Sequence, residues 1–60
     1  MKEIQLDGEK LFYFNTLRFL NGEIIYQFAK DLSIGFPTHE VKDYQISELI
    51  KENRFKKINQ

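Results

Sequence analysis

His39 is the single histidine of the chain, set between Thr38 and Glu40, and the chain has no cysteine. General acid–base chemistry near neutral pH most often uses histidine, and a structural zinc site needs about four His, Cys or carboxylate ligands. One imidazole with no second His and no Cys meets neither requirement, so His39 reads as a solvated or helix-end residue. The lack of cysteine also removes a thiolate nucleophile and a disulfide staple. Gly8, Gly22 and Gly35 are isolated from one another, so no glycine-rich loop is present to cradle a phosphate. These residues predict no catalytic group, no metal site and no cofactor.

Charge and aromatic rings remain. Nine basic and nine acidic residues cancel, so the net charge lacks the footprint of a nucleic-acid binder. The charges are nonetheless segregated along the chain. Asp31, Glu40, Asp43, Glu48 and Glu52 outweigh Lys42 and Lys51, whereas Arg54, Lys56 and Lys57 are followed and preceded by no acid within residues 53–60. A solvated acidic helix face with a basic end accounts for this split through the helix dipole. A sharper reading has the acids that flank Phe36 and Tyr44, Glu40 and Asp43 among them, presenting a negative, partly aromatic surface to a basic protein partner. The basic tail with Phe55 offers nucleic-acid contact as a third reading, resting on three charges.

The elements that must position these residues are few. A chain of 60 residues makes one domain, and a lone domain near that size hides only roughly 60% of its unfolded surface. Without disulfides or metal, oligomerisation is the remaining staple. Leu11 to Phe14 is the longest apolar run, too short to span a membrane, and Met1 to Gln5 has no apolar signal core. The expectation is an intracellular protein without a membrane segment.

Asp7-Gly8 and Asn21-Gly22 supply the positive φ of tight hairpin turns. They predict a hairpin of Lys10–Leu20 with Glu23–Lys30, closed by Asn21-Gly22, and an edge strand over Lys2–Leu6. Strict alternation puts Phe12, Phe14, Thr16, Arg18 and Leu20 on one face and Leu11, Tyr13, Asn15, Leu17 and Phe19 on the other. Neither face is polar, so one helix covers one face and a second chain or a partner is expected on the other. Gly35 and Pro37 oppose a helix interior, and a helix is expected from Thr38 as N-cap, with Val41 and Tyr44 on one side. Ile46, Leu49 and Ile50 fit its continuation to about Glu52, while Ile46, Glu48 and Ile50 alternate imperfectly as a strand would.

The stretch Gly22 to Ser33, ending Tyr26-Gln27-Phe28-Ala29-Lys30-Asp31-Leu32-Ser33, resembles the small dimeric uracil-DNA glycosylase inhibitors of protein-primed Bacillus podophages. Glu48-Leu49-Ile50-Lys51, followed by Arg54-Phe55-Lys56-Lys57-Ile58, resembles the C-terminal segment of that family, and Thr16-Leu17 fits upstream. The resemblance implies a homodimer with a three-stranded antiparallel sheet, a helix near Thr38–Tyr44 and a strand after Gln45. It also implies inhibition by DNA mimicry, with an apolar pocket between protomers taking the enzyme's wedge side chain and acids standing in for phosphates. Phe36 falls near the family's pocket phenylalanine, and Glu40-Val41 with Tyr44 resembles its contact surface. Gln27 falls where the family carries an acid, and the neutral total departs from an otherwise acidic family.

The combined expectation is a single α+β domain over residues 1–60 with a three-stranded antiparallel sheet and one helix. Its hairpin covers about 10–30, its helix starts at about 38, and the C-terminal segment is either helix continuation or third strand. Its expected role is a non-enzymatic, homodimeric inhibitor of a host uracil-DNA glycosylase in the cytoplasm of an infected bacterium, without direct nucleic-acid binding. Phe36, Glu40, Tyr44, Gln27 and Asp43 are the expected partner-binding residues. The alternatives are a small nucleic-acid-binding module and a regulatory dimer with a different protein partner.

Overall fold

Asp7 and Gly8 both adopt positive φ, 51° and 84°, as a two-residue type I′ hairpin turn requires. In the computed structural model, which describes residues 2–59, they join strand β1 (Glu3–Leu6) to β2 (Glu9–Arg18). The second turn differs from its expected form. Asn21 stays at negative φ and only Gly22 is left-handed, at 88°. The amide of Phe19 donates to Glu23 O and that of Gly22 to Phe19 O, so a three-residue loop, Leu20 to Gly22, leads into β3 (Ile24–Ala29). Asn21 instead accepts the Glu23 amide through its side-chain oxygen at 3.0 Å. Leu20 therefore rides the turn, fully exposed, and is no strand residue.

A bulge in β2 redistributes the faces. Tyr13 pairs with Phe28 but Asn15 pairs with Gln27, leaving Phe14 as the extra residue. Directly opposed residues share a face, so Leu11, Tyr13, Thr16 and Arg18 lie on one side of the sheet and Phe12, Asn15 and Leu17 on the other. Tyr13 and Thr16 confirm the shift with a 2.6 Å hydroxyl contact. The strict alternation expected beyond Phe14 is thereby corrected: one inserted residue inverts every side chain after it.

The sheet has five strands in the order β4-β3-β2-β1-β5, all antiparallel, not three. β1 is thus an interior strand and not an edge. β4 (His39–Lys42) forms where a helix start was expected. Val41 pairs with Tyr26 and is 3% exposed, and the strand satisfies backbone groups of β3 that a helix would leave open. Thr38 caps no helix: its amide donates to Phe28 O and its hydroxyl accepts the Lys30 amide, closing the β3–β4 loop. The helix α1 (Asp43–Lys51) starts five residues later, with the Gln45 side chain accepting the Lys42 amide at 3.1 Å and Asp43 in its first turn.

Both alternatives for the C-terminal segment describe part of it. α1 runs through Lys51 and ends in a Schellman motif: Asn53 takes φ 62°, its amide donates to Ile50 O, and the Arg54 amide donates to Leu49 O. β5 (Phe55–Asn59) then returns to β1.

The core lies between α1 and the concave side of the sheet. Ile4, Leu11, Phe28, Val41 and Phe55 are buried, with Leu6, Tyr13, Tyr26, Ile46 and Leu49 packed around them. Phe28 and Phe55 meet edge to face with ring centroids 6.1 Å apart, although β3 and β5 are three strand spacings, about 14 Å, apart in a flat sheet. The sheet therefore curls, and the two phenylalanines close it.

Arg54 ties the curl together from outside. Its guanidinium grips Asp7 through Nε and a terminal nitrogen at 2.7 and 3.2 Å, and reaches Glu52 at 3.1 Å. The Arg54 hydrogen bond holds the Asp7 carboxyl below its ordinary value, and the Ser33 amide and hydroxyl do the same for Asp31. A carboxyl whose folded value lies below its unfolded one stabilises fully above the unfolded value and loses that contribution as pH falls through the folded one. The melting temperature is therefore expected to fall on acidification below about pH 4, and Arg54→Gln to show a smaller fall. Equal acid sensitivity in the two proteins, measured by circular dichroism, would take Arg54 out of this transition.

Candidate functional site

Of the five expected partner-binding residues, Gln27 lies on β3, Phe36 in the β3–β4 loop, Glu40 on β4, and Asp43 and Tyr44 in the first turn of α1. Register places Gln27 opposite Glu40 on the convex side of the sheet, where Gln27 Nε2 donates to Glu40 Oε2 at 2.8 Å. Two acids directly opposed here would repel; the amide at position 27 turns that clash into a hydrogen bond. Asp43, one strand length along, accepts from the Tyr26 hydroxyl at 3.1 Å. Burial and that bond raise the Tyr26 phenol above its ordinary value, so it remains a donor.

Tyr44 follows, 70% exposed, with Lys42 Nζ 5.8 Å from its ring centroid. Phe36 is 59% exposed and precedes β4 in the β3–β4 loop. The structure does not bring Phe36 and Tyr44 together. Four strand residues intervene, at about 3.3 Å each, so one protomer holds the two rings at opposite ends of its edge strand. A pocket lined by both within a single chain is not formed.

Two features escaped the sequence reading. Leu32 and Ile34 join Phe36 as exposed apolar residues, 53% and 41% accessible. The loop bearing them is shaped by Asp31, which accepts from the Ser33 amide and hydroxyl, and by Gly35 at φ 79°. Their spacing of two is visible in the sequence, but alternation of that kind fits a short strand as well as this loop. The second feature is a shallow groove of about 380 Å³ lined by Tyr44, Gln45, Glu48, Leu49, Glu52 and Arg54. Tyr44, Glu48 and Glu52 follow helical spacing, so the groove had a signal once the helix was placed at Asp43.

His39 is tied into the sheet: Nδ1 shares a hydrogen bond with Thr38 Oγ1 at 2.8 Å and Nε2 lies 3.5 Å from Glu9. Among the described residues no group of three or more His, Asp or Glu is placed to hold a metal ion. Among the described residues no helix is long and apolar enough to cross a membrane. The arrangement offers recognition chemistry, in which exposed rings sit beside carboxylate acceptors on an edge strand and a helix start. Compared with known proteins, the chain matches no family model, no curated protein and no solved structure.

Proposed function

We propose that the chain is a non-enzymatic, homodimeric inhibitor that binds a uracil-DNA glycosylase in place of DNA, protecting viral DNA in an infected bacterial cell. One observation carries this beyond the sequence resemblance: Phe36 and Tyr44 stand more than half exposed at the two ends of β4, the strand that carries Glu40, with Asp43 and Glu48 on the same helix as Tyr44. Exposed rings that bury on association supply most of an interface's energy, and surrounding acids steer a basic, DNA-binding protein into place. The nucleic-acid alternative is weakened by the fate of the basic tail. Arg54 is engaged by Asp7 and Glu52, and Lys56 and Lys57 point to opposite sides of β5.

The test is uracil excision from a labelled duplex. Premixing chain and enzyme is expected to stop excision, while fluorescence anisotropy detects no binding of the chain to the duplex at about physiological salt. Undisturbed excision together with tight, steeply salt-dependent duplex binding would replace this reading with the nucleic-acid one.

A further inference from the structure

Asp7-Gly8 and Asn21-Gly22 are steps of one kind, an acid or its amide followed by glycine in an exposed turn. Such a step permits a covalent reaction that needs no enzyme. The glycine nitrogen, once its proton has passed to hydroxide, attacks the preceding side-chain carbonyl carbon and closes a five-membered succinimide. We infer that the fold directs this reaction to Asn21 and withholds it from Asp7, which makes Asn21 a site of self-modification. The inference is independent of the inhibitor reading above.

Three features select Asn21. The first is the electrophile. Arg54 donates to both oxygens of the Asp7 carboxylate, at 2.7 and 3.2 Å, and holds it ionised. An ionised carboxylate has no group to expel, whereas the Asn21 carboxamide can release ammonia. The second is orientation. Asn21 Oδ1 accepts the Glu23 amide at 3.0 Å, which closes a ring containing both Asn21 Cγ and the Gly22 nitrogen. That bond keeps the reacting atoms close and donates to the oxygen on which charge collects as the nitrogen adds. The third is access. Nothing lies within 4 Å of the place a Cβ would take at Gly22, and Leu20 beside it is wholly exposed, so base and water reach the site. The Gly22 amide must first leave Phe19 O, which it meets at 3.0 Å, and exposed loops open at little cost. The asparagines at 15 and 53 are held more firmly. Asn15 lies within β2 before the β-branched Thr16, and Asn53 precedes Arg54, whose amide is donated to Leu49 O at 2.8 Å.

The step balances within the chain and water. The bond from Gly22 N to Asn21 Cγ forms, the Cγ–Nδ2 bond breaks, and the departing nitrogen takes a proton from water, leaving as ammonia and restoring hydroxide. Water then opens the succinimide at either carbonyl, giving aspartate or β-linked isoaspartate at position 21. Either product sets a new carboxylate two residues from Glu23, which pairs with Lys42 at 3.8 Å. The chain passes from neutral to one net negative charge. The β-linked product also adds a methylene to the main chain of the three-residue loop.

Folded chain kept in mildly alkaline buffer is expected to accumulate a more acidic species on anion exchange. Peptide mapping is expected to place a gain of about one mass unit at Asn21, at least about tenfold faster than at Asn15 or Asn53. Asn21→Ser is expected to abolish the acidic species. At about pH 5, close enough to the ordinary carboxyl value for some neutral acid to form, β-linkage at Asp7 is expected in urea and not in the folded chain. A β-aspartyl-specific methyltransferase reads that product, which brings no change of mass. An unmodified Asn21 in the folded chain, an acidic species that persists in Asn21→Ser, or β-linkage at Asp7 as fast folded as in urea would each overturn the assignment.

Discussion

Phe28→Ala is expected to lower the unfolding free energy by about 3–5 kcal/mol, the usual cost of emptying a buried phenylalanine site. A 60-residue domain has a total of about 3–9 kcal/mol at typical values per residue. The variant should thus be largely unfolded in buffer. Phe28 is fully buried and meets Tyr13 and Phe55 edge to face, at 6.4 and 6.1 Å. Its removal takes away both the ring that closes the curl and the edge-to-face partner of each neighbour. Urea titration followed by circular dichroism measures the loss, with Phe36→Ala as the exposed control at about 0.5 kcal/mol or less. A loss of under about 1 kcal/mol for Phe28→Ala would mean that the Phe28–Phe55 contact does not close the sheet.

The second large effect concerns inhibition. Truncating a ring that is buried in a complex commonly costs about 2 kcal/mol or more, near 30-fold in affinity. Phe36→Ala and Tyr44→Ala are each expected to weaken inhibition by about that factor. Both rings are exposed in the free chain, so the loss is not confounded by unfolding, and circular dichroism should be unchanged. Glu40→Gln is expected to matter less, because exposed charges contribute roughly 0–1 kcal/mol. The new amide oxygen still accepts the Gln27 hydrogen bond, so the sheet edge is kept. Its effect should fall mainly on the association rate and shrink as salt is added. A folded, dimeric Phe36→Ala, Tyr44→Ala double variant that inhibits at wild-type strength would remove both rings from the interface. The contact would then have to lie elsewhere, with Leu32, Ile34 and the groove beside Glu48 next in line.

What the amino-acid sequence determined by itself was local or compositional. Asp7-Gly8 carried its turn because the φ values of a tight hairpin are a property of two residues. The run of aromatics between the two glycine turns announced strands with two apolar faces. Ile46 and Leu49 announced a helix that packs on a core, and the exposed acids near Tyr44 were visible as a charge pattern. The existence of an α+β domain followed from these. Its strand count did not. Whether His39–Lys42 is helix or strand depends on the unpaired edge of β3, which lies eleven or more residues away in the chain. The bulge at Phe14 has no signature in the chain, yet it moves Leu17 to the convex face and Thr16 to the concave one. The third strand of the sequence reading became the fifth because β5 pairs with β1 across nearly the whole chain, where Leu6 meets Phe55. The candidate site divides the same way: residue type nominated Phe36, Glu40, Tyr44, Gln27 and Asp43, but only tertiary pairing set Gln27 against Glu40 and held Phe36 apart from Tyr44. Periodicity reports which residues are apolar, whereas backbone hydrogen bonds between distant segments decide which face each one meets, and those bonds are satisfied globally.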